Sequence, residues 1–435
     1  MADVRPFRGL RYAAETHLDH LVAPPYDVLS EEQAQELRLR SPHNVVHVDL
    51  PVGPGEPPSS AAYTRAADTF QAWRRDGILR QDEGPAIYLV DQEYRGPDGR
   101  ERRRRGFIAR LMLADFSERV VLPHEKTHAG PKMDRLSLFR TTHADISQIF
   151  LLYPDTDGCV AKALSVAAAG ADPRLAQEAH DRDGNVHHLV PALGDAAVHV
   201  GALLADKPLY IADGHHRYET ALAYRDERRA GGDHSADSLM VYLCSMDDPG
   251  LTVFPTHRLI KRGAMPGTAE VLQRLSGDFI VEHGPTGDIA ACRAFITTGL
   301  KSASESGGVF GLYFPREGSC VLAHLRDRAL PLRLEREGLS PVGAGLTVTL
   351  LHYGILRDCC GLDPAHSEGV IDYVSDIDDA FSRLTDETYG CGAFINPTRV
   401  DEVRAIADRG ETMPQKSTYF YPKLLSGLVL DALGE

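Results

Sequence analysis

A chain of 435 residues, 43% hydrophobic and 25% charged, has room for two or three domains and can bury a sizeable core. Its formal net charge of -15 argues against general binding to nucleic acid or to anionic membranes. No run of about 18 apolar residues suggests a membrane-spanning helix, and the first residues lack the apolar core of a signal peptide. Seven scattered cysteines without a CxxC spacing argue against a disulfide framework or a cysteine-built zinc site, so a cytoplasmic protein is expected.

Pro24-Pro25-Tyr26-Asp27 is a proline-stiffened loop. Ser30 then caps a predicted helix, whose first turn carries Glu31 and Glu32 at its positive end. Asn44 to Leu50 reads as a strand, and Ala61 to Arg80 as a helix bearing the sole tryptophan, Trp73. Ile87 to Arg95 and Arg102 to Leu113 read as two strands joined by the turn Gly96-Pro97-Asp98-Gly99. The arginines at 102–105 form a charge run expected to be solvated. Val120-Val121-Leu122 reads as a strand end opening on the polar loop Pro123-His124-Glu125-Lys126-Thr127-His128. Glu125 is the natural general base there. His124 and His128 stand four apart but lack the zincin order around the glutamate, and a surface loop with incidental charges is the plain alternative. Lys132 to Arg140 reads as an amphipathic helix. Its Lys132, Arg135 and Arg140 either reach a phosphate or carboxylate or form a solvated face. Residues 154–205, rich in Ala, Gly and Asp, read as an exposed helical excursion.

The strand-like run Pro208-Leu209-Tyr210-Ile211 precedes Asp213-Gly214-His215-His216-Arg217, and a helix is expected from Tyr218 onward. Helix N-termini present unpaired N–H groups and partial positive charge, so this junction suits a phosphate. Arg217 can add a forked donor, and Asp213 can hold a metal or orient a histidine. A glycine turn with solvated polar neighbours is the alternative. Ser238 to Cys244 reads as a buried strand. Pro255-Thr256-His257-Arg258 either lines a cleft or is structural. Gly308 to Phe314 and Gly392 to Asn396 read as strands, and Val400 to Arg409 as a helix. Near the end, in the motif Pro414 to Lys423, Ser417 and Thr418 beside Lys416 and aromatic residues suit a carboxylate or phosphate clamp, or else an edge strand or a turn leading to a final helix. Strands and helices mix without strict βαβ alternation, so the fold class is α+β. There is no Walker-type phosphate loop, no kinase-type glycine-rich loop and no G-x-S-x-G elbow.

Four separated motifs in order resemble a bacterial and archaeal family known as a domain of unknown function. They are Pro24-Pro25-Tyr26-Asp27-Val28, the His124-Glu125-x-Thr127 loop, Ala212 to Leu222, and Pro255-Thr256-His257-Arg258. More distantly, over about half the chain, Asp213-Gly214-His215-His216-Arg217 after a strand is similar to the signature of free L-serine kinases of the ParB/sulfiredoxin-like fold. Pro123-His124-Glu125 upstream resembles their glutamate loop, and Pro414-Gln415-Lys416-Ser417-Thr418 their closing loop. The spacing departs from theirs, with many residues inserted between the Glu125 loop and the Asp213 junction. The resemblance implies a ParB/sulfiredoxin-like nucleotide-binding core over 106–262. An N-terminal α/β segment over 1–105 would precede it, and a C-terminal α/β domain over 263–435 would close over the site. It implies phosphoryl transfer from ATP or ADP, with Mg²⁺, to the hydroxyl of a free amino acid such as L-serine. On that reading Glu125 takes the proton, and Asp213 binds Mg²⁺ or positions the hydroxyl. Gly214, His215, His216 and Arg217 cradle the phosphates, with His215 also counted among the catalytic groups. His124, Lys416, Ser417 and Thr418 hold the substrate. The expected partners are that substrate and the nucleotide, without membrane or nucleic acid. The oligomeric state stays open, a homodimer being one option.

Three rivals follow from the same residues. A nucleotide-dependent ParB-like binding protein is disfavoured by the acidic charge and by the lack of a helix-turn-helix signal. A metal-dependent hydrolase would use His124, His128, His215 and His216. A sulfiredoxin-like repair enzyme would need a reactive cysteine, and none lies at the Asp213 junction.

Overall fold

The computed structural model describes residues 1–13, 17–53, 55–125, 129–303, 307–362 and 369–434. The chain divides into two compact units. The first comprises residues 1–123, 127–252 and 420–435, and the second 124–126 and 253–419. Both mix helices with sheet, so the α+β class holds. No helix among the described residues is long and apolar enough to cross a membrane.

The first unit is built on a mixed sheet. Its order is Val121–Leu122, Leu209–Asp213, Ile149–Tyr153, Ser238–Ser245, Glu101–Met112, Ala86–Arg95, Val186–Leu193 and Gln177–His180. Val4–Arg5 pairs off this path with Glu101–Met112. Ile149–Tyr153 runs parallel to Ser238–Ser245 and antiparallel to Leu209–Asp213. Ile87, Phe107, Ile149, Leu151, Ile211, Val241 and Leu243 point into one core, which the helices Cys159–Gly170, Asp195–Ala202 and His215–Ala230 also enter. The second unit carries an antiparallel sheet in the order Phe279–Thr286, Ser319–Leu325, Val309–Phe314, Tyr389–Phe394, His257–Lys261 and Ile371–Val374. Phe279, Phe310, Phe314, Leu351 and Ile355 fill its main core.

Several sequence readings meet the structure closely. Ser30 caps Glu31–Arg40 through a reciprocal box with Gln33. The hairpin Ala86–Arg95 to Glu101–Met112 turns where Gly96 to Gly99 predicts. Others need correction. Asn44 to Leu50 is not a strand, because Val46–Asp49 forms a helical turn. Asn44 causes it: its side-chain oxygen accepts from Val46 N–H at 3.0 Å while its amide donates to the His20 and Val22 carbonyls. Local bonds of this kind outcompete a ladder of β-branched residues. The Trp73 helix spans Ser60–Arg75 and stops at left-handed Gly77, after which Leu79–Gln81 pairs with Leu10–Tyr12. The 154–205 stretch is helical only in part. Gln177–His180 and Val186–Leu193 complete the sheet instead.

The arginine run is not uniformly solvated either. A strand alternates its faces, so Arg103 and Arg105 point outward to Asp91 while Arg104 points inward and is fully buried. Arg104 donates to Gln92 Oε1 at 2.9 Å and to the Tyr421 and Pro422 carbonyls, and lies 4.7 Å from the Phe150 ring. Burial of a guanidinium is tolerated because its donors meet oxygens and its face meets a ring.

Candidate functional site

The Asp213 junction is a strand–glycine–helix turn within the first unit. Leu209–Asp213 ends in the sheet, Gly214 caps, and the helix starts at His215, three residues earlier than the sequence reading placed it. Gly214 sits at φ 94°, where a side chain is strained. A Cβ there would also stand 3.1 Å from the Arg217 guanidinium. Glycine is thus required both by the backbone and by the packing of its neighbour.

Asp213 is half-buried and faces two cations. Lys423 Nζ donates to its Oδ2 at 3.1 Å, and Arg217 lies 4.0 Å away. Arg217 itself is buried and donates to the Gln148 carbonyl at 2.7 Å. Burial opposes its charge, but Asp213, Asp27, Tyr26 and Asp49 together hold its pKa above the ordinary arginine value. Its hydrogen bonds run to the neighbouring strand, so it supports the junction from below. His215 is buried and His216 half-buried in the same first turn, whereas Tyr218 of the motif is a core residue whose hydroxyl donates to the Ala114 carbonyl.

Beneath this turn lies a cavity of about 20 Å³ lined by Asp49, Arg135, Asp145, Ser147 and Arg217, among others. Arg135 donates to Asp49 Oδ1 at 2.8 Å and to its carbonyl at 2.7 Å, and stacks 4.1 Å from the Tyr26 ring. Burial pushes the Tyr26 phenol up to about 12 and the Asp145 carboxyl well above the carboxylate range. The other cations of the Ala129–Thr142 helix are also occupied. Lys132 pairs with Glu219, and Arg140 with Glu227 at 2.9 Å, which staples this helix to His215–Ala230. The sequence reading holds Lys423 only as the end of the 414–423 motif and connects neither it nor Asp49 with this cluster. Lys423 lies 210 residues from Asp213, and no local spacing signals the pair.

A second cluster forms within the second unit. Fully buried His124 shares a hydrogen bond with Thr418 Oγ1 at 3.1 Å through its Nε2. Met413 N–H donates to the His124 carbonyl, and Glu125 bridges to Met413, so the Glu125 loop and the 413–418 loop are pinned together. Arg258 is buried beside them, donating to the Lys416 and Thr256 carbonyls. Burial lowers its guanidinium to about 10, against the pull of Tyr373 and Glu125. Lys416 is exposed on a left-handed backbone. Ser417 is buried and bonds the Pro414 carbonyl, so it shapes the loop, while Thr418 is half-buried. Lys126, Thr127 and His128 lie outside the described residues. Of the histidines of the hydrolase reading, His124 belongs to the second unit and His215 and His216 to the first.

The model of a family described as a protein of unknown function (DUF1015) matches residues 4–349. No curated protein sequence matches the chain. Similar solved structures include a free serine kinase in complex with AMP, at 15% identity and TM-score 0.33, covering 71% of this chain and 89% of that one. A mutant free serine kinase in complex with ADP shows 14% identity and TM-score 0.35 over 71% and 89%. A conserved hypothetical protein from Pyrococcus furiosus shows 13% identity and TM-score 0.35 over 72% and 92%.

Proposed function

The chain belongs to the DUF1015 family, and we propose that it is a small-molecule kinase that moves a phosphoryl group from ATP or ADP to the hydroxyl of a free amino acid, L-serine first among them. We assign its nucleotide-binding core to the ParB/sulfiredoxin-like fold and its activity to the cytoplasm. The observation that carries the reading is Asp213, a carboxylate held by Lys423 at 3.1 Å at the end of a strand, with only Gly214 between it and the start of a sixteen-residue helix. A helix start supplies N–H donors and positive potential to phosphate oxygens, and Lys423 adds a cation beside it.

Asp213 also suits Mg²⁺, which binds through one or two carboxylates while phosphate oxygens and water complete its shell. When bound there, the ion would neutralise charge on the phosphates. Gly214 lets the backbone approach the phosphates without a Cβ in the way. His216, half-buried in the first turn, would contact them. Arg217 would position Asp213 through its buried bonds.

In the second cluster Glu125 would accept the proton of the attacking hydroxyl. His124 and Thr418 would fix the acceptor's carboxylate, with Lys416 as a nearby charge. Phosphoryl transfer demands in-line positioning and charge neutralisation more than covalent chemistry, and these residues supply both kinds of group.

The test is direct. The protein is incubated with ATP or ADP, Mg²⁺ and a panel of hydroxyl amino acids and polyols, and products are read by mass spectrometry. A phosphorylated amino acid from the wild type, absent with Glu125→Gln, is expected. Nucleotide binding without any transferred phosphoryl group would replace the kinase with a nucleotide-switched binding protein.

A further inference from the structure

At the far edge of the first unit's sheet, the backbone collects imidazoles around one carboxylate. Gln177–His180 is the edge strand, and its period of two puts Glu178 and His180 on the same face. His188 stands directly opposite Glu178 on the next strand. On the outer side His17 bridges in parallel to Glu178, held by the Leu18 N–H donating to the Glu178 carbonyl at 2.7 Å. Three neighbouring segments thus place His17, Glu178 and His188 in one row, with His180 two residues along.

The distances are longer than hydrogen bonds and leave room for a shared ion. His17 Nδ1 lies 3.6 Å and His180 Nε2 lies 3.7 Å from Glu178 Oε1, and all three atoms fall within 4.8 Å of one another. A charge-assisted hydrogen bond would close to about 2.8 Å. Two ligand atoms on one tetrahedral zinc ion, each about 2.0–2.1 Å from it, stand about 3.4 Å apart.

The supporting groups fit as well. The other ring nitrogen of His180, Nδ1, lies 3.3 Å from Asp19 Oδ1, which also accepts the His180 backbone N–H at 2.7 Å. Such a carboxylate holds the proton on Nδ1 and leaves Nε2 as a lone-pair donor facing Glu178, the arrangement that supports metal-bound histidines. The second Glu178 oxygen, Oε2, is taken by His188 Nδ1 at 3.2 Å, which orients Oε1 toward His17 and His180. A pocket of about 480 Å³ adjoins the cluster, with His17, Glu178 and His188 in its wall, so an ion there is reached from solvent.

We propose that His17, Glu178 and His180 bind a divalent first-row transition ion, zinc being the best match to an N₂O donor set with a fourth position left to water. Asp19 and His188 are positioning residues for two of the ligands. This site is separate from the Asp213 cluster and does not depend on the kinase reading.

Tag-free, full-length protein stripped with a chelator is titrated with Zn²⁺ by calorimetry and with Co²⁺ by visible absorption. One tight site per chain is expected, with the intense absorption of low-coordinate cobalt. Glu178→Gln and His180→Ala should each weaken binding at least about a hundredfold, and Asp19→Asn about tenfold. His234→Ala, at an exposed histidine outside the cluster, should leave it unchanged. The ligand histidines are exposed, and circular dichroism of the metal-free variants verifies that they fold, with His17→Ala as a further ligand variant. Failure to bind one equivalent, or a site that survives both Glu178→Gln and His180→Ala, would overturn the proposal.

Discussion

His257 should make the second unit acid-labile, and the effect can be sized. The ring is almost wholly buried, 5.1 Å from the Phe394 ring, and its Nδ1 accepts the Ile395 N–H at 3.4 Å. The proton of the neutral ring therefore sits on Nε2. A second proton would have to enter a dry site and set one N–H against another. Burial, assisted by the charge of neighbouring Arg258, pushes the folded-state pKa down to about 3. The unfolded histidine titrates near 6.5, so the unfolded state binds the proton first as pH falls. The stability contributed by the neutral ring is complete above about pH 6.5. It is then lost at about 1.4 kcal/mol per pH unit as pH falls toward the folded value. By pH 5 the loss is about 2 kcal/mol. Urea unfolding followed by far-UV circular dichroism at pH 7 and pH 5 measures it, comparing wild type with His257→Gln. The amide of glutamine is neutral at both pH values and can still accept from Ile395. The variant starts less stable because its fit is imperfect, but it should lose about 2 kcal/mol less on acidification, since all other titrating groups are common to both. Equal pH slopes in the two proteins would refute the argument and return His257 to the candidates for a chemical role.

Arg135→Met would strand Asp49 in the interior with Ser426 as its remaining side-chain donor at 3.0 Å, and should cost about 3–5 kcal/mol in urea unfolding. Gly214→Ala combines the φ of 94° with a contact on Arg217, and should cost about 1–2 kcal/mol while lowering nucleotide affinity measured by calorimetry. Lys423→Met removes the nearer cation from a partly exposed pair, so unfolding should change by less than about 1 kcal/mol while nucleotide affinity falls roughly tenfold. Calorimetry with and without Mg²⁺ should show nucleotide affinity dropping sharply when the ion is withheld.

Much of the fold was legible wherever one local rule governed a segment. Ser30 and Gln33 mark a helix start by themselves, and the glycines at 96 and 99 mark a turn between two alternating runs. The readings failed where a distant partner or a single side chain decided. The sequence 44–50 looks like a strand until Asn44 is seen bonding three backbone groups. Arg104 looks like its three neighbours until Gln92 and the carbonyls of residues 421 and 422 surround it. The site divided in the same way. Asp213 to Arg217 was legible because a carboxylate, a glycine and cationic side chains gather at a strand–helix junction. Lys423 and Asp49 were not, since their partners lie far along the chain. The His17–Glu178–His180 cluster left no spacing to read, because sheet register brings together segments about 160 residues apart.

Charge at the Asp213 junction bears on how the proposed nucleotide would be held by a chain of net charge -15. Arg135, Arg217 and Lys423 are the cations described there, and Asp27, Asp49, Asp134 and Asp213 are the carboxylates whose fields act on them or pair with them. The named groups therefore carry no positive excess, and Arg135 and Arg217 are committed to buried acceptors. On the proposed reading the helix start and Lys423, itself paired with Asp213, are the groups offered to phosphate oxygens. A helix terminus is equivalent to about half an elementary charge, too little alone to balance a polyphosphate. The remaining charge has to arrive with the ligand. A magnesium–nucleotide complex would bring it on the proposed reading, whereas a bare nucleotide would meet the Asp213 carboxylate as a repulsion. On that reading Lys423, 3.1 Å from Asp213, balances that carboxylate, a role a bound ion would share.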